Sequence, residues 1–209
     1  MAKSKEGVID KVLAFAKQEF MDKGYQNASV RTIATNADTS IGSVYRRFAD
    51  KAELFGAVVN GTIEDLNSIV QQQAAFHVAE LSDKELCDMC DLSKQEGVTM
   101  QWLQFLYERR EDMFLLLARA ENSQYANFQH DWVERIMEAN YPFFAEIERR
   151  GLTKLRTSKR ELHILQSAYW QALYEPFIHR ADWDEIESHC YYISRFFDWP
   201  KALGFNTSK

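Results

Sequence analysis

The sequence contains few of the residues that interrupt helices or cross-link small folds. Its 209 residues include eight glycines, three prolines and three cysteines. So few turn-forming residues favour a helical fold. Three cysteines are too few for a disulfide scaffold, and an odd number cannot all form pairs. We therefore expect a reduced, cytoplasmic protein.

Membrane and enzyme signals are also missing. No apolar run approaches the roughly 18 residues that span a bilayer. No apolar stretch follows the lysines of the first ten residues, so no signal peptide is expected. The sequence has no glycine-rich phosphate loop, no nucleophile elbow and no zinc-protease motif. We expect a non-enzymatic protein with no cofactor, no metal and no membrane partner.

Positive charge is scarce overall but is unevenly distributed. Acidic residues outnumber basic ones by 31 to 25, which gives a formal charge of −6. Residues 1–60 hold nine Lys or Arg against seven Asp or Glu, whereas the rest of the chain holds 16 against 24. A mildly basic head on an acidic body indicates an N-terminal end that faces nucleic acid.

Apolar residues recur at helical spacing along most of the chain. Ile9, Leu13, Ala16 and Phe20 follow one another at intervals of four, three and four, and Gly24 is expected to end that helix. A Ser or Asp followed three residues later by Glu is the pattern of a capping box, which predicts a helix start. This pattern occurs at Asp50/Glu53, Ser82/Glu85, Ser158/Glu161 and Asp182/Glu185.

These patterns together predict an all-α protein with about nine helices and no strands. Residues 1–50 are expected to form a three-helix DNA-binding domain with a helix-turn-helix. Residues 51–209 are expected to form a larger helical domain for effector binding and dimerisation. Pro142 and Pro176 lie within helical patterns and are expected to kink or end their helices.

Residues 29–48 have the size and pattern of a helix-turn-helix, whose second helix enters the major groove of DNA. Gly42 allows that helix to approach a partner closely. The outer face of the helix is polar and basic. Its hydroxyl and guanidinium groups are the types that bind phosphates and base edges. They belong to Ser40, Ser43, Tyr45, Arg46 and Arg47.

Residues 20–54 resemble the DNA-binding head of the TetR family of bacterial transcriptional regulators. The matching positions are Gly24, Tyr25, Ser29, Val30, Ile33, Ala34, Ala37, Gly42, Tyr45, Phe48, Lys51 and Leu54. The turn departs from the family pattern, with Asp38 in place of a glycine and Thr39 in place of a small aliphatic residue. Because Asp adopts a left-handed conformation more readily than most residues, we expect the turn to survive.

The resemblance implies a homodimeric repressor that binds an operator in double-stranded DNA and is released by a small-molecule effector. Carried over by position, and with Arg46 added from the basic face, the DNA contacts fall on Arg31, Ile41, Gly42, Ser43, Tyr45, Arg46, Arg47 and Lys51. Arg31 is expected to read a guanine edge, whereas Tyr45 and Lys51 are expected to hold phosphates. The alternative is that Arg46, Arg47 and Lys51 form a solvated helix face.

The body contains most of the aromatic residues, and several lie on helices that surround the effector pocket of the family. An aromatic-lined cleft with a few polar groups is typical of ligand sites, although plain core packing explains any single one of these residues. The acidic balance of the body favours a neutral or cationic effector. The candidate effector residues are Trp102, Phe105, Phe114, Phe128, Trp132, Gln166, Tyr169 and Trp170.

The resemblance also implies that the last two helices, at about 159–179 and 183–198, form the dimer. The final helix carries an apolar face that is wider than one chain needs, unless it packs internally. That face comprises Trp183, Ile186, Cys190, Ile193 and Phe197.

Cys87 and Cys90 form a C-x-x-C pair. No second pair accompanies it, and acidic neighbours should raise the thiol pKa, so we expect an inert pair.

Asp38 and the modest basic excess of the head leave an alternative function open. They fit a protein-interaction module on the same fold, with weak or lost specific DNA binding.

Overall fold

The computed structural model describes residues 5–74, 77–154 and 157–205, and within these ranges the regular elements are helical. Strand-like pairing there is limited to one isolated bridge between Thr153 and Phe205. The all-α prediction is therefore confirmed. The helices are α1 (Lys5–Asn27), α2 (Val30–Asn36), α3 (Ile41–Arg47), α4 (Lys51–Ala74), α5 (Asp83–Cys90), α6 (Glu96–Glu108), α7 (Arg110–Phe114), α8 (Phe128–Arg149), α9 (Lys159–Ile178), α10 (Trp183–Phe196) and α11 (Trp199–Ala202). Val78–Glu80 forms a 3₁₀ turn, and Leu115–Arg119 continues α7 as a π-helix.

The chain folds into two compact units. The first unit comprises the chain up to Leu66 together with Arg109–Phe128, and the second comprises Asn67–Glu108 together with the chain from Gln129 onward. A segment that is distant in sequence therefore packs with the N-terminal helices. The predicted functional boundary after residue 50 stays a prediction.

An aromatic cluster forms the core of the first unit. Phe20 and Phe55 meet edge to face with ring centroids 4.9 Å apart, and Tyr25 and Tyr125 contact Phe55 at 5.4 and 5.9 Å. Gly24 interrupts the helical backbone of α1 with a φ of 72°. A positive φ suits glycine, which has no Cβ. It lets the chain bend at Gly24, the residue where the sequence predicted the helix to end.

Polar bonds fasten the segment Arg109–Phe128 to the N-terminal helices of the first unit. The carboxylate of Asp112 accepts a hydrogen bond from the Thr62 hydroxyl at 2.7 Å and lies 2.8 Å from the Lys17 ammonium group. Asn122 donates to the Gln26 side chain at 2.9 Å. Contacts with α1 and α4 therefore fix this segment at both of its ends.

Three capping boxes predicted from the sequence are present in the second unit. Ser82, Ser158 and Asp182 each accept a hydrogen bond from the backbone of the Glu three residues later, and that Glu side chain bonds back to the cap. These reciprocal bonds satisfy amide groups that the helix leaves without partners. They place the starts of α5, α9 and α10 at the predicted residues.

Pro142 and Pro176 both lie inside continuous helices, and a kink at each of them stays a prediction. Neither Pro142 nor Pro176 ends its helix, because α8 continues to Arg149 and α9 to Ile178. In the described ranges, no helix is both long enough and apolar enough to cross a bilayer.

Candidate nucleic-acid interface and effector core

The start of α2 is held in place by α1. The hydroxyl of Ser29 caps α2 by accepting a hydrogen bond from the Thr32 amide at 3.3 Å, and the Ser29 amide donates to the Glu19 carboxylate at 3.1 Å. Glu19 is buried and also pairs with Lys23 at 3.1 Å. The orientation of α2 therefore depends on a buried carboxylate of α1.

The turn between α2 and α3 contains the predicted left-handed residue. Asp38 has a φ of 54°, and the amide of Thr39 donates to the Ala34 carbonyl at 3.0 Å. The departure from the family pattern therefore does not abolish the turn, because Asp adopts the conformation in which the family uses glycine.

Helix α3 is anchored on one face and exposed on the other. Val44 and Phe48 are buried beneath it. At its start, the Ser40 hydroxyl accepts from the Ser43 amide at 3.1 Å. Arg46 then donates to the Ser43 hydroxyl at 2.8 Å, which fixes one guanidinium group along the outer face.

The predicted DNA-contact residues lie on the surface of the first unit. Ile41 and Tyr45 are 43 % and 46 % exposed, which is unusual for side chains of this size. Arg31, Gly42, Arg46 and Arg47 are also exposed, whereas Ser43 and Lys51 are half-buried. The arrangement presents hydroxyl, guanidinium and apolar groups together, as base and phosphate contacts require.

Lys51 has an internal role that sequence reasoning missed. Its ammonium group donates to the carbonyls of Gln26 and Ala28, at 3.0 and 3.3 Å, and lies 4.8 Å from the centre of the Tyr25 ring. These carbonyls lie at the end of α1, where helix carbonyls lack partners within the helix. The available signal in the sequence was the pair Gly24-Tyr25. This pair marks a helix end, and the carbonyl groups at a helix end need a hydrogen-bond donor.

Four of the eight candidate effector residues form one aromatic cluster in the second unit. Trp102 stacks on Phe105 with centroids 5.3 Å apart, and Trp132 lies parallel to Trp102 at 6.3 Å. Trp170 meets both indoles edge to face, at 5.7 and 6.3 Å. The cluster therefore joins α6, α8 and α9.

The other candidate effector residues are distributed differently. Tyr169 contacts the Trp170 ring at 5.7 Å, and burial raises its pKa to about 12 despite a hydrogen bond with Thr99. Gln166 is buried in the same unit. Phe114 and Phe128 belong to the first unit, so the predicted set divides between the two units.

A cavity of about 330 Å³ in the second unit was not predicted from the sequence. It lies along α8 and α9, and its lining carries charges of both signs. In the sequence alone, such a set of charged residues looks like an ordinary solvent-exposed helix face. The lining residues are Glu134, Met137, Glu138, Tyr141, Lys159, Arg160 and His163.

Three residues of the predicted dimer face are already covered within a single chain, whereas Trp183 and Phe197 are half-buried, and the dimer role of this face stays a prediction. Ile186, Cys190 and Ile193 are at most 5 % exposed within a single chain, because this stripe of α10 packs against α6. The Cys190 thiol lies 3.9 Å from the Glu96 carbonyl, and Trp183 contacts Tyr107 at 5.3 Å. Side chains that are already covered have no surface left for a partner.

The exposed apolar groups of α9 and α10 lie elsewhere on these helices. Tyr192 and Phe196, one turn apart on α10, are 65 % and 81 % exposed. Ile164 on α9 is 57 % exposed. On α10, the immediate sequence neighbours of the predicted residues Ile193 and Phe197 therefore form the uncovered surface.

Cys87 and Cys90 lie within α5, and burial raises the pKa of the Cys90 thiol to about 12. Burial and the acidic neighbours Asp83 and Asp88 raise the pKa of Cys87 as well. Thiols with raised pKa values are poor nucleophiles. Among the described residues, no group of His, Cys, Asp and Glu is arranged to hold a metal ion.

Helices α2 and α3, joined by a tight turn and with one face of α3 exposed, have the arrangement of a helix-turn-helix. Residues 12–58 match the model of bacterial regulatory proteins of the tetR family. The resemblance seen in the sequence is thereby confirmed for the head of the chain. No curated protein sequence matches the chain.

Solved structures extend the likeness of fold to the whole chain. NalD of Pseudomonas aeruginosa, a repressor of the MexAB-OprM multidrug efflux pump, superposes with a TM-score of 0.64 at 18 % identity, over 99 % of this chain and 100 % of NalD. A TetR-like regulator of Rhodococcus sp. RHA1 gives 0.62 at 15 % identity, over 98 % and 99 %. FadR of Bacillus subtilis, in complex with stearoyl-CoA, gives 0.58 at 12 % identity, over 90 % and 97 %.

Proposed function

We propose that this protein is a homodimeric transcriptional repressor that binds a pseudo-palindromic operator and leaves it when a small molecule binds the body. The observation that carries the proposal is the face of α3. It exposes Ile41, Tyr45 and Arg47 around a helix whose opposite side is buried, within the segment that matches the family model.

Each exposed group has a role in this proposal. Arg31, at the start of α2, reads a guanine through paired hydrogen bonds, and Ile41 contacts a thymine methyl group. Tyr45, Arg46, Arg47 and Lys51 bind phosphates, with Gly42 and Ser43 allowing close approach of the backbone. Phosphate contacts fix the register, and base contacts supply the specificity.

Two protomers pair through the uncovered surfaces of α9 and α10 in this proposal. A large exposed aromatic pair at Tyr192 and Phe196 supports that role, since solvent-exposed aromatic side chains are enriched at interfaces. A two-fold dimer presents two α3 helices to successive major grooves, which requires an inverted repeat in the DNA.

Release from DNA is proposed to occur by a shift between two conformers. The segment Arg109–Phe128 directly follows α6 and directly precedes most of α8 in the chain, and it is bonded to Lys17, Gln26 and Thr62 of the head. A ligand that changes α6 or α8 therefore acts on the head through covalent continuity. Because binding is linked, DNA weakens effector binding by the same factor.

The decisive experiment is selection of bound sequences from a random DNA duplex pool at two salt concentrations. Recovery of an inverted repeat is the expected result. Binding that depends on salt but not on sequence would mean phosphate contact without base readout, and it would favour the protein-interaction alternative. Arg47→Ala is expected to reduce binding while the protein keeps its dimeric mass.

A further inference from the structure

Two tryptophan side chains in the core of the second unit are hydrogen-bond donors without an acceptor. The indole nitrogens of Trp102 and Trp170 are buried and have no hydrogen-bond partner within the described part of the chain. Their rings meet edge to face with centroids 5.7 Å apart. Buried polar groups almost always have a partner, so two neighbouring exceptions require a physical explanation.

Packing alone does not explain the choice of tryptophan at these positions. A buried donor without an acceptor lowers stability, and a phenylalanine would fill much of the same space without that cost. The adjoining rings of Trp132 and Phe105 already supply the aromatic contacts of the cluster. The N–H groups are therefore features that need an acceptor from outside the chain.

The two indoles lie against aromatic rings, including those of Phe105, Trp132 and Tyr169. The buried polar side chains on α6 and α9 include Thr99 and Gln166. The buried carboxylate described in this unit, Glu146, is already bonded to the guanidinium groups of Arg149 and Arg150. A charged ligand in the cluster would lose its hydration without gaining an opposite charge, which is unfavourable.

We propose that the effector is a flat, neutral, aromatic compound with a carbonyl oxygen that accepts hydrogen bonds from Trp102 and Trp170. A carbonyl oxygen has two lone pairs and accepts two N–H donors. The ring system of the ligand packs against the indoles, and its oxygen satisfies both donors. This inference rests on the proposed effector-controlled function and specifies the chemistry of the effector.

The test is isothermal titration calorimetry of the full-length protein with xanthone and with xanthene. The two compounds share a tricyclic skeleton, but xanthene has a methylene group where xanthone has its carbonyl. We expect xanthone to bind at least about tenfold more tightly, the size of effect that hydrogen bonds to otherwise unpaired donors produce. Equal affinities would overturn the proposal, because the carbonyl oxygen would then gain nothing from the two indole N–H donors.

Substitutions identify the donors. Trp102→Phe and Trp170→Phe are each expected to weaken xanthone binding several-fold and to leave xanthene binding unchanged. Trp199→Phe is the matched control, since this buried indole stacks on Phe197 at 6.0 Å and is expected to leave both affinities unchanged. Equal losses for both compounds in the Trp102 and Trp170 variants would contradict a donor role.

Two further results have defined meanings. Tighter binding of a xanthone carboxylate than of xanthone would overturn the neutrality of the ligand. If the protein selects an operator but binds neither compound, this inference is wrong and the proposed function stands. If the protein binds xanthone through these donors but selects no operator, the proposed function is wrong and the ligand site stands.

Discussion

Asp38 shows how one backbone conformation decides whether a sequence tolerates a departure from a pattern. The residue has a φ of 54°, in the left-handed region that disfavours most side chains. Asp38 also takes part in a further interaction, so the effect of the backbone must be isolated from any loss of side-chain contacts. A comparison of two substitutions that both remove the carboxylate achieves this.

We expect Asp38→Gly to be more stable than Asp38→Ala by about 1 kcal/mol, because alanine retains the Cβ that crowds the left-handed conformation. Urea denaturation of both variants measures the difference. At Ala181, which has no recorded positive φ, the order should reverse, so that Ala181→Gly is less stable than the protein with the native alanine, since there glycine only loosens the unfolded chain. Equal stabilities at position 38 would contradict the conformational account.

Lys51 combines a structural role with a proposed DNA contact, and the two are separable. Because its ammonium group binds two carbonyls at the end of α1, Lys51→Gln should lower the free energy of unfolding by about 1–2 kcal/mol. Arg47→Gln, on the exposed face of α3, should leave stability nearly unchanged. Urea denaturation of the two variants provides the comparison.

The salt dependence of DNA binding then tests the phosphate role. Loss of one phosphate contact should reduce the slope of log affinity against log salt by about 0.9. A Lys51→Gln protein that is destabilised but keeps the full slope would restrict Lys51 to its structural role.

At the scale of elements, the Arg150 guanidinium group at the end of α8 joins this helix to the start of α5, and the Glu146 carboxylate holds that group in place. Arg150 donates to the carbonyls of Ala79 and Leu81 and to the carboxylates of Asp83 and Glu146. Bonds from the Arg149 and Arg150 guanidinium groups lower the pKa of Glu146 to about 2. A group whose pKa is lowered on folding stabilises the protein above its unfolded pKa.

The stability of the protein should therefore fall as the pH drops from about 4.5, the ordinary value for Glu, towards about 2. Glu146→Gln should flatten that part of the profile, because the amide does not titrate. Thermal unfolding followed between pH 6 and pH 2 measures the change. Glu138→Gln on the same helix is the control, and an equally flattened profile in that variant would refute a specific role for Glu146.

Helix α10 shows that an apolar stripe does not identify its own partner. Ile186, Cys190 and Ile193 have the spacing of a contact face, and they do form one, but the contact is with α6 of the same chain. The exposed aromatics beside them were less conspicuous in the sequence, because Tyr192 and Phe196 form a single pair at helical spacing rather than a longer stripe. Burial, which depends on the tertiary fold, distinguishes the two sets.

At the scale of the whole molecule, the exposed aromatics of α10 should control assembly. Phe196→Asp is expected to convert a dimer into a monomer, because a charge placed in an apolar interface loses its hydration. Analytical ultracentrifugation gives the mass, and circular dichroism checks that helicity is retained. Met89→Asp, at a residue 41 % exposed on α5, should remain dimeric. A Phe196→Asp dimer would refute the proposed interface.

The sequence by itself determined the local features of this protein. Capping residues such as Ser82, Ser158 and Asp182 act within four residues, so their pattern predicts a helix start without knowledge of the fold. The helix-turn-helix was predictable for the same reason, since its turn and its buried positions have short, fixed spacings. The all-α class follows from apolar periodicity, which every helix carries in its own residues.

Only the tertiary structure decided what depends on distant segments. The packing of Arg109–Phe128 with the N-terminal helices joins residues about fifty to a hundred positions apart, as the Thr62–Asp112 and Gln26–Asn122 bonds show. The covered stripe of α10, the carbonyl contacts of Lys51 and the unpaired indoles of Trp102 and Trp170 also depend on neighbours that are remote in the chain. The periodicity of the sequence indicates that one face of a helix is apolar, but the tertiary fold determines which surface covers that face.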